Sequence, residues 1–229
     1  MTGLYLSRAR LRDDNSVRAI APLLLPDDIH ASLSAAHRMV WSLMSDDPDR
    51  RRDFLWREEG PGAFLILGPR PAEAGGLFAV ESKPWAPQLR AGDRLGFLLR
   101  ANATVSRSAV PGSRGARGRR HDVVMDVLYR LPHDERAAQR RGAIAEAGQV
   151  WLTRQGLRAG FVPEADTLNV DGYDTVRVAR GSKENVMFGR LECEGVLQVT
   201  DPTLFLREVA AGLGRAKAFG CGLMLLRRV

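Results

Sequence analysis

This chain of 229 residues is short of cysteine, lysine and histidine, and each shortage removes a class of chemistry. Cys193 and Cys221 are its two cysteines. They support neither a disulfide framework nor a zinc site, since neither has metal-ligand neighbours at the usual spacing. The four histidines, His30, His37, His121 and His133, contain no H-E-x-x-H pair. The nucleophile-elbow pattern G-x-S-x-G is missing, as are the nucleotide-binding patterns G-x-G-x-x-G and G-x-x-x-x-G-K-[ST]. No apolar run approaches the roughly 20 residues of a membrane span, and no secretory signal is read at Met1. A cytoplasmic protein without metal or cofactor is the expectation.

What the chain has in abundance is arginine. Three lysines, Lys83, Lys183 and Lys217, stand against 31 arginines, and the net charge is +7. The planar guanidinium fork suits bidentate contacts to phosphates and base edges better than an ammonium does. The excess is concentrated toward the front: residues 1–120 carry 19 basic and 13 acidic side chains, and 121–229 carry 15 and 14. A basic field of this kind favours nucleic acid or another anionic surface, though it also serves plain solubility. Hydrophobic residues make up 45% of the chain, enough for a sizeable core.

The most distinctive segment is Gly212-Leu-Gly-Arg-Ala-Lys-Ala-Phe-Gly-Cys-Gly222. Gly212, Gly214, Gly220 and Gly222 bracket Arg215 and Lys217, and an apolar run from Leu223 follows. Glycine backbone amides with two adjacent cations could hold the phosphates of a polymer. The same pattern also reads as an ordinary turn between a helix and a final strand.

Apolar–polar alternation in Leu4–Leu11 predicts a first strand. Pro26-Asp27-Asp28 supplies a helix start, and the helix over 29–44 places Ile29, Leu33, Ala36, Val40 and Leu43 on one stripe. His30, Ser34, His37 and Trp41 form a second row beside it. Strands are expected over Asp53–Arg57 and Ala63–Gly68, with a hairpin between them, and over Arg94–Asn102, closing the first half. Val105–His121, with Arg107, Arg114, Arg117, Arg119 and Arg120 and no acid, reads as a flexible basic loop or a solvated linker. Beyond it come a helix over about 136–156, strands near 161, 175–178, 186–191 and 195–200, a hairpin tip at Gly181–Asn185, a helix capped by Asp201, and the last strand. The order predicts an α+β protein of two tandem ferredoxin-like, RRM-like domains with a C-terminal glycine-rich loop. The divisions are 1–102, a basic loop 103–121, and 122–229.

For catalysis, a lone histidine acting as acid or base is the economical option. His37 on its helix reads either as that group or as a half-buried packing residue. RNA supplies its own nucleophile in the 2′-hydroxyl, so its cleavage needs only proton transfer and cations for the developing charge.

Several segments together resemble the CasE-type CRISPR repeat endoribonucleases of the RAMP superfamily, found in type I-E systems. They are Leu4-Tyr-Leu-Ser-Arg8, His37-Arg-Met-Val-Trp-Ser-Leu-Met44, Arg52-Asp-Phe-Leu-Trp56, Phe97-Leu-Leu-Arg-Ala-Asn102, Glu194-Gly-Val-Leu197 with Thr200-Asp201, and the glycine segment. The resemblance implies metal-independent cutting at the base of a repeat stem-loop, leaving 2′,3′-cyclic phosphate and 5′-hydroxyl ends. It also implies retention of the mature guide RNA within a multi-subunit surveillance complex.

The family's catalytic histidine falls on His37, with His30 as rival. Where some members have tyrosine three residues earlier, this chain has Ser34, a poor proton donor, so an arginine or water is left to fill that role. Arg38, Arg100, Arg114, Arg117, Arg119, Arg120, Lys183, Arg215, Lys217 and the four loop glycines are the candidate RNA contacts. Duplex RNA is read mainly through shape and backbone, which fits an aromatic content of only 7%. A non-catalytic RNA-binding subunit, or a structural one, is the competing reading.

Overall fold

The computed structural model describes residues 3–45, 47, 49–107, 119–180 and 183–229; at 29, 30, 179, 180 and 183–185 it describes the backbone alone. Its elements, in order, are β1 (Leu4–Leu11), α1 (Asn15–Leu24), α2 (Ile29–Met44), β2 (Leu55–Gly60), β3 (Ala63–Gly68), β4 (Phe78–Trp85), β5 (Arg94–Ala101), β6 (Thr104–Arg107), β7 (Arg119–Asp122), α3 (Val123–Leu128), α4 (Arg136–Ala159), β8 (Phe161–Pro163), β9 (Asn169–Arg180), β10 (Lys183–Val199), α5 (Pro202–Ala211) and β11 (Met224–Arg228).

Two larger antiparallel sheets organise the chain, giving an α+β fold consistent with tandem ferredoxin-like domains. The first runs β2-β3-β1-β4. One face of it is covered by α2, whose Leu33, Ala36, Val40 and Leu43 are buried with Ala9, Phe64 and Ile66. The expected stripe is therefore core at these four positions, while the Ile29 side chain lies outside what is described. Asp28 starts α2 as expected, its carboxylate accepting from the Ala31 amide at 2.7 Å. That bond satisfies one of the helix's unpaired N-terminal donors.

The second sheet runs β11-β5-β10-β8, with β9 paired to β10. This corrects the expectation that the strand at 94–102 closes the first half. β5 is a strand, but it pairs with β10 and β11, Leu99 opposite Cys193 on one side and Met224 on the other. Its alternation announces a strand; only long-range hydrogen bonding selects the sheet. The strands expected at 186–191 and 195–200 are one long strand, β10, which with β9 reaches beyond its own sheet. Val176 and Val178 of β9 and Phe188 of β10 pack into the core under α2. The catalytic helix expected from sequence is thus held between the first sheet and an extension of the second.

β4 carries little periodic signal. It is an edge strand, mostly exposed, and includes Pro84, which an edge tolerates because one row of its backbone groups faces no partner. The expected loop at 105–121 has paired ends: β6 and β7 form an antiparallel ladder with Val105 opposite His121. The span between them lies outside the described residues.

Candidate active site

His37 sits in the third turn of α2, half-buried, with its Nδ1 2.7 Å from the carbonyl oxygen of Ala218. A carbonyl only accepts hydrogen bonds, so Nδ1 donates and the neutral ring carries its proton there. Nε2 is left with the lone pair. Trp41 and Phe219 flank the imidazole, with ring centroids 6.1 and 5.8 Å away, and Phe219 in turn stacks on Phe188 at 5.7 Å. The same Ala218 oxygen accepts a second bond, at 3.2 Å, from the indole N–H of the buried Trp56 on β2.

Ala218 lies in a short 3-10 turn, Lys217–Phe219, inside the glycine segment. Gly212, Gly214, Gly220 and Gly222 all have positive φ, between 74° and 95°. The loop does join a helix, α5, to the last strand, β11. Its amides, however, are not uniformly offered outward. Gly212 donates to Glu208 and Val209, closing α5, and Gly222 donates to the Arg100 carbonyl at 2.7 Å. A Cβ at Gly222 would lie 2.9 Å from the Leu213 oxygen, so glycine is required there by packing. Arg215 is tied to the second sheet by its amide, which donates to the Asn102 oxygen, while its side chain is exposed.

Cations gather around this turn. The Lys217 ammonium donates to the Ala211 carbonyl at 2.7 Å. Burial, together with the positive charges of Arg52 and Arg215, pushes its pKa below the usual lysine range. Arg52, just before β2, is half-buried, bonded to the Phe54 carbonyl, and also pushed down by burial. Arg38 follows His37 on α2 and is exposed; Ser34, one turn earlier, is partly exposed.

Other sequence candidates are placed elsewhere. Arg100, an expected RNA contact, is partly buried with its guanidinium 2.5 Å from Glu192, because β5 lies beside β10 and brings the two side chains together. Arg119 and Arg120 are exposed on β7. Arg114 and Arg117 lie outside the described residues, and Lys183 is described only as backbone, opposite Arg180 at the start of β10. The same holds for His30, the rival histidine, which is described as helix backbone alone. Sequence reasoning missed Ala218 and Trp56. No motif could announce Ala218, since a main-chain carbonyl belongs to every residue type.

A family model for CRISPR associated protein matches residues 4–228. The chain belongs to this family. The CRISPR system Cascade subunit CasE of Escherichia coli strain K12 is 28% identical over 199 residues, covering 83% of this chain and 89% of that protein. Among solved structures, Thermus thermophilus Cse3 bound to an RNA representing a pre-cleavage complex aligns with a TM-score of 0.65, at 23% identity, over 98% of this chain and 99% of that one. Cas6e from E. coli K-12 aligns with a TM-score of 0.55, at 20% identity, over 98% and 100%. At these identities the two structures share the fold of this CRISPR-associated chain. The CasE-type resemblance read from its segments holds, with the CasE relative aligned over 83% of this chain.

Proposed function

We propose that this chain is a metal-independent endoribonuclease that cuts CRISPR precursor RNA at the base of the repeat stem-loop and keeps the mature guide RNA within a surveillance complex. Its CasE relative is named a Cascade subunit, and related folds are described as a Cse3 endoribonuclease bound to a 19-nt RNA and as part of an RNA-guided surveillance complex. The observation that carries the reading is His37, held through Nδ1 with Nε2 turned away from the Ala218 carbonyl, beside a turn bearing Lys217 and Arg215.

In this reading Nε2 takes the proton of the 2′-hydroxyl as the 2′-oxygen bonds to phosphorus. The P–O5′ bond breaks, leaving a 2′,3′-cyclic phosphate, and the departing 5′-oxygen takes a proton from water or from Lys217. A lysine whose pKa is pushed down is a readier donor than an ordinary one. Arg52, Arg215 and Lys217 offer positive charge to the phosphorane oxygens, and Ser34 supplies a hydroxyl one turn from His37. The two sheets, with the basic segment that follows β5, would carry the stem through Arg38, Arg119, Arg120 and the glycine loop.

The test is cleavage of the host repeat hairpin in excess EDTA by wild type and His37→Ala. The expected result is cutting by wild type and a loss of about 10²–10⁴-fold in the variant, with RNA binding retained. Tight binding without cutting by either protein supports a guide-RNA scaffold instead.

A further inference from the structure

We propose that the turn Ala216–Gly220 is a histidine-orienting element and that Trp56 is its positioning residue, an inference that rests on the nuclease reading of His37. Two ring N–H groups, from different elements, converge on one oxygen: His37 Nδ1 at 2.7 Å and Trp56 Nε1 at 3.2 Å from the Ala218 carbonyl. A carbonyl oxygen has two lone pairs and no proton, so it accommodates both donors and forces both to donate. The imidazole is thereby held in the tautomer whose bare nitrogen is Nε2.

The oxygen is itself held firmly. Trp56 is 1% exposed and sits on β2, paired with Ile66, its ring edge-on to Phe64 at 5.9 Å. A buried indole N–H needs an acceptor, and the Ala218 oxygen is that acceptor. The turn is bracketed by two residues in the left-handed region: Ala216, at φ 51°, and Gly220, at φ 74°. Ala216 is the sole non-glycine residue with positive φ among those described, a conformation that persists only where surrounding structure imposes it. A Cβ on Gly220 would come within 3.2 Å of the Trp56 ring, so the glycine lets the turn close onto the indole. Hydrogen bonds from Arg215 N to Asn102 O and from Gly222 N to Arg100 O tie both sides of the turn to the second sheet.

Trp56 is buried, so it acts on the reaction only through the carbonyl and hence through His37. The glycine segment then has a function besides phosphate contact: it carries a carbonyl from the second half of the chain to the helix of the first.

The experiment combines nitrogen-15 imidazole NMR with cleavage kinetics on wild type, Trp56→Phe, and a protein in which Trp56 is replaced by benzothienylalanine, an isostere with sulfur in place of the indole N–H. In wild type, above the imidazole titration, His37 is expected to show protonated Nδ1 and bare Nε2. Both replacements should mix in the other tautomer, change the pH–rate profile, and lower kcat on the order of tenfold with RNA affinity unchanged.

An Nε2-protonated His37 in wild type overturns the proposal. So do replacements that leave tautomer and rate unchanged, or that slow cleavage with the tautomer intact. If Trp56→Phe does not fold, the isostere and the wild-type spectrum still decide. The spectrum is read without substrate, so a wild type that shows the expected tautomer but cuts no repeat RNA refutes the nuclease reading and not the orienting turn.

Discussion

Glu58 stands half-buried on β2 with Arg100 and Arg190 as its charged neighbours. Burial pushes its pKa above the usual carboxylate range, and the two arginines only partly oppose that. A carboxyl whose folded pKa exceeds its unfolded one binds more protons when folded, so its contribution to stability is greatest in acid and is lost as pH rises through the folded value. Glu58→Gln imitates the protonated form. The variant should melt above wild type at neutral pH, and the gap should close as pH falls through the raised pKa, as read by thermal denaturation across pH. A gap independent of pH would assign the effect to something other than ionisation. His37 and Glu58 illustrate what is legible at this scale: the histidine is singled out as a candidate by its neighbours in sequence, whereas the carboxylate's burial depends on a fold that no local pattern reports.

α2 is the element on which the proposed chemistry depends. Its cap and its buried stripe both follow from local sequence, because helical periodicity and N-cap chemistry are short-range. Asp28→Ala removes the acceptor for the Ala31 amide and should cost about 1 kcal/mol of stability in a denaturant titration. His37 lies more than two turns farther along the helix, so cleavage per folded molecule should remain within twofold or so of wild type. The β6–β7 ladder is the second element with a forecast. Arg107 is already paired with Asp126, whereas Arg119 and Arg120 are exposed on β7. Charge reversal at Arg119 and Arg120 should weaken repeat binding and lower the slope of log affinity against log salt by about two. An unchanged slope would remove this strand from the RNA surface.

Across the whole molecule, the two sheets are joined by charge. Arg57 of the first sheet meets Glu192 of the second at 2.9 Å, and Arg100 meets the other Glu192 oxygen at 2.5 Å while also approaching the Glu58 carbonyl. The Arg57 side chain is only 8% exposed, and its Nη1 is buried without a hydrogen-bond partner. Glu192→Ala would leave that guanidinium uncompensated in a dry setting. The expected loss is about 3 kcal/mol or more in chemical unfolding, well beyond the effect of an exposed pair. A loss under about 1 kcal/mol would mean that water reaches Arg57 and that the sheets are held mainly by apolar contact.

Sequence by itself determined the α+β class, the helices capped by Asp28 and Asp201, most strands, the family resemblance, and the choice of His37 with the glycine segment as the place to look. Those are readings of period, cap and motif, all carried by residues near one another in the chain. Tertiary structure alone decided that β5 belongs to the second sheet, that Arg57 and Arg100 share Glu192, and that Ala218 reaches His37 across 181 positions. The reason is physical. Strand pairing and ion pairing are selected by packing between distant segments, and the acceptor that orients the histidine is a backbone carbonyl, whose position is set by the fold and not by the side chain it carries.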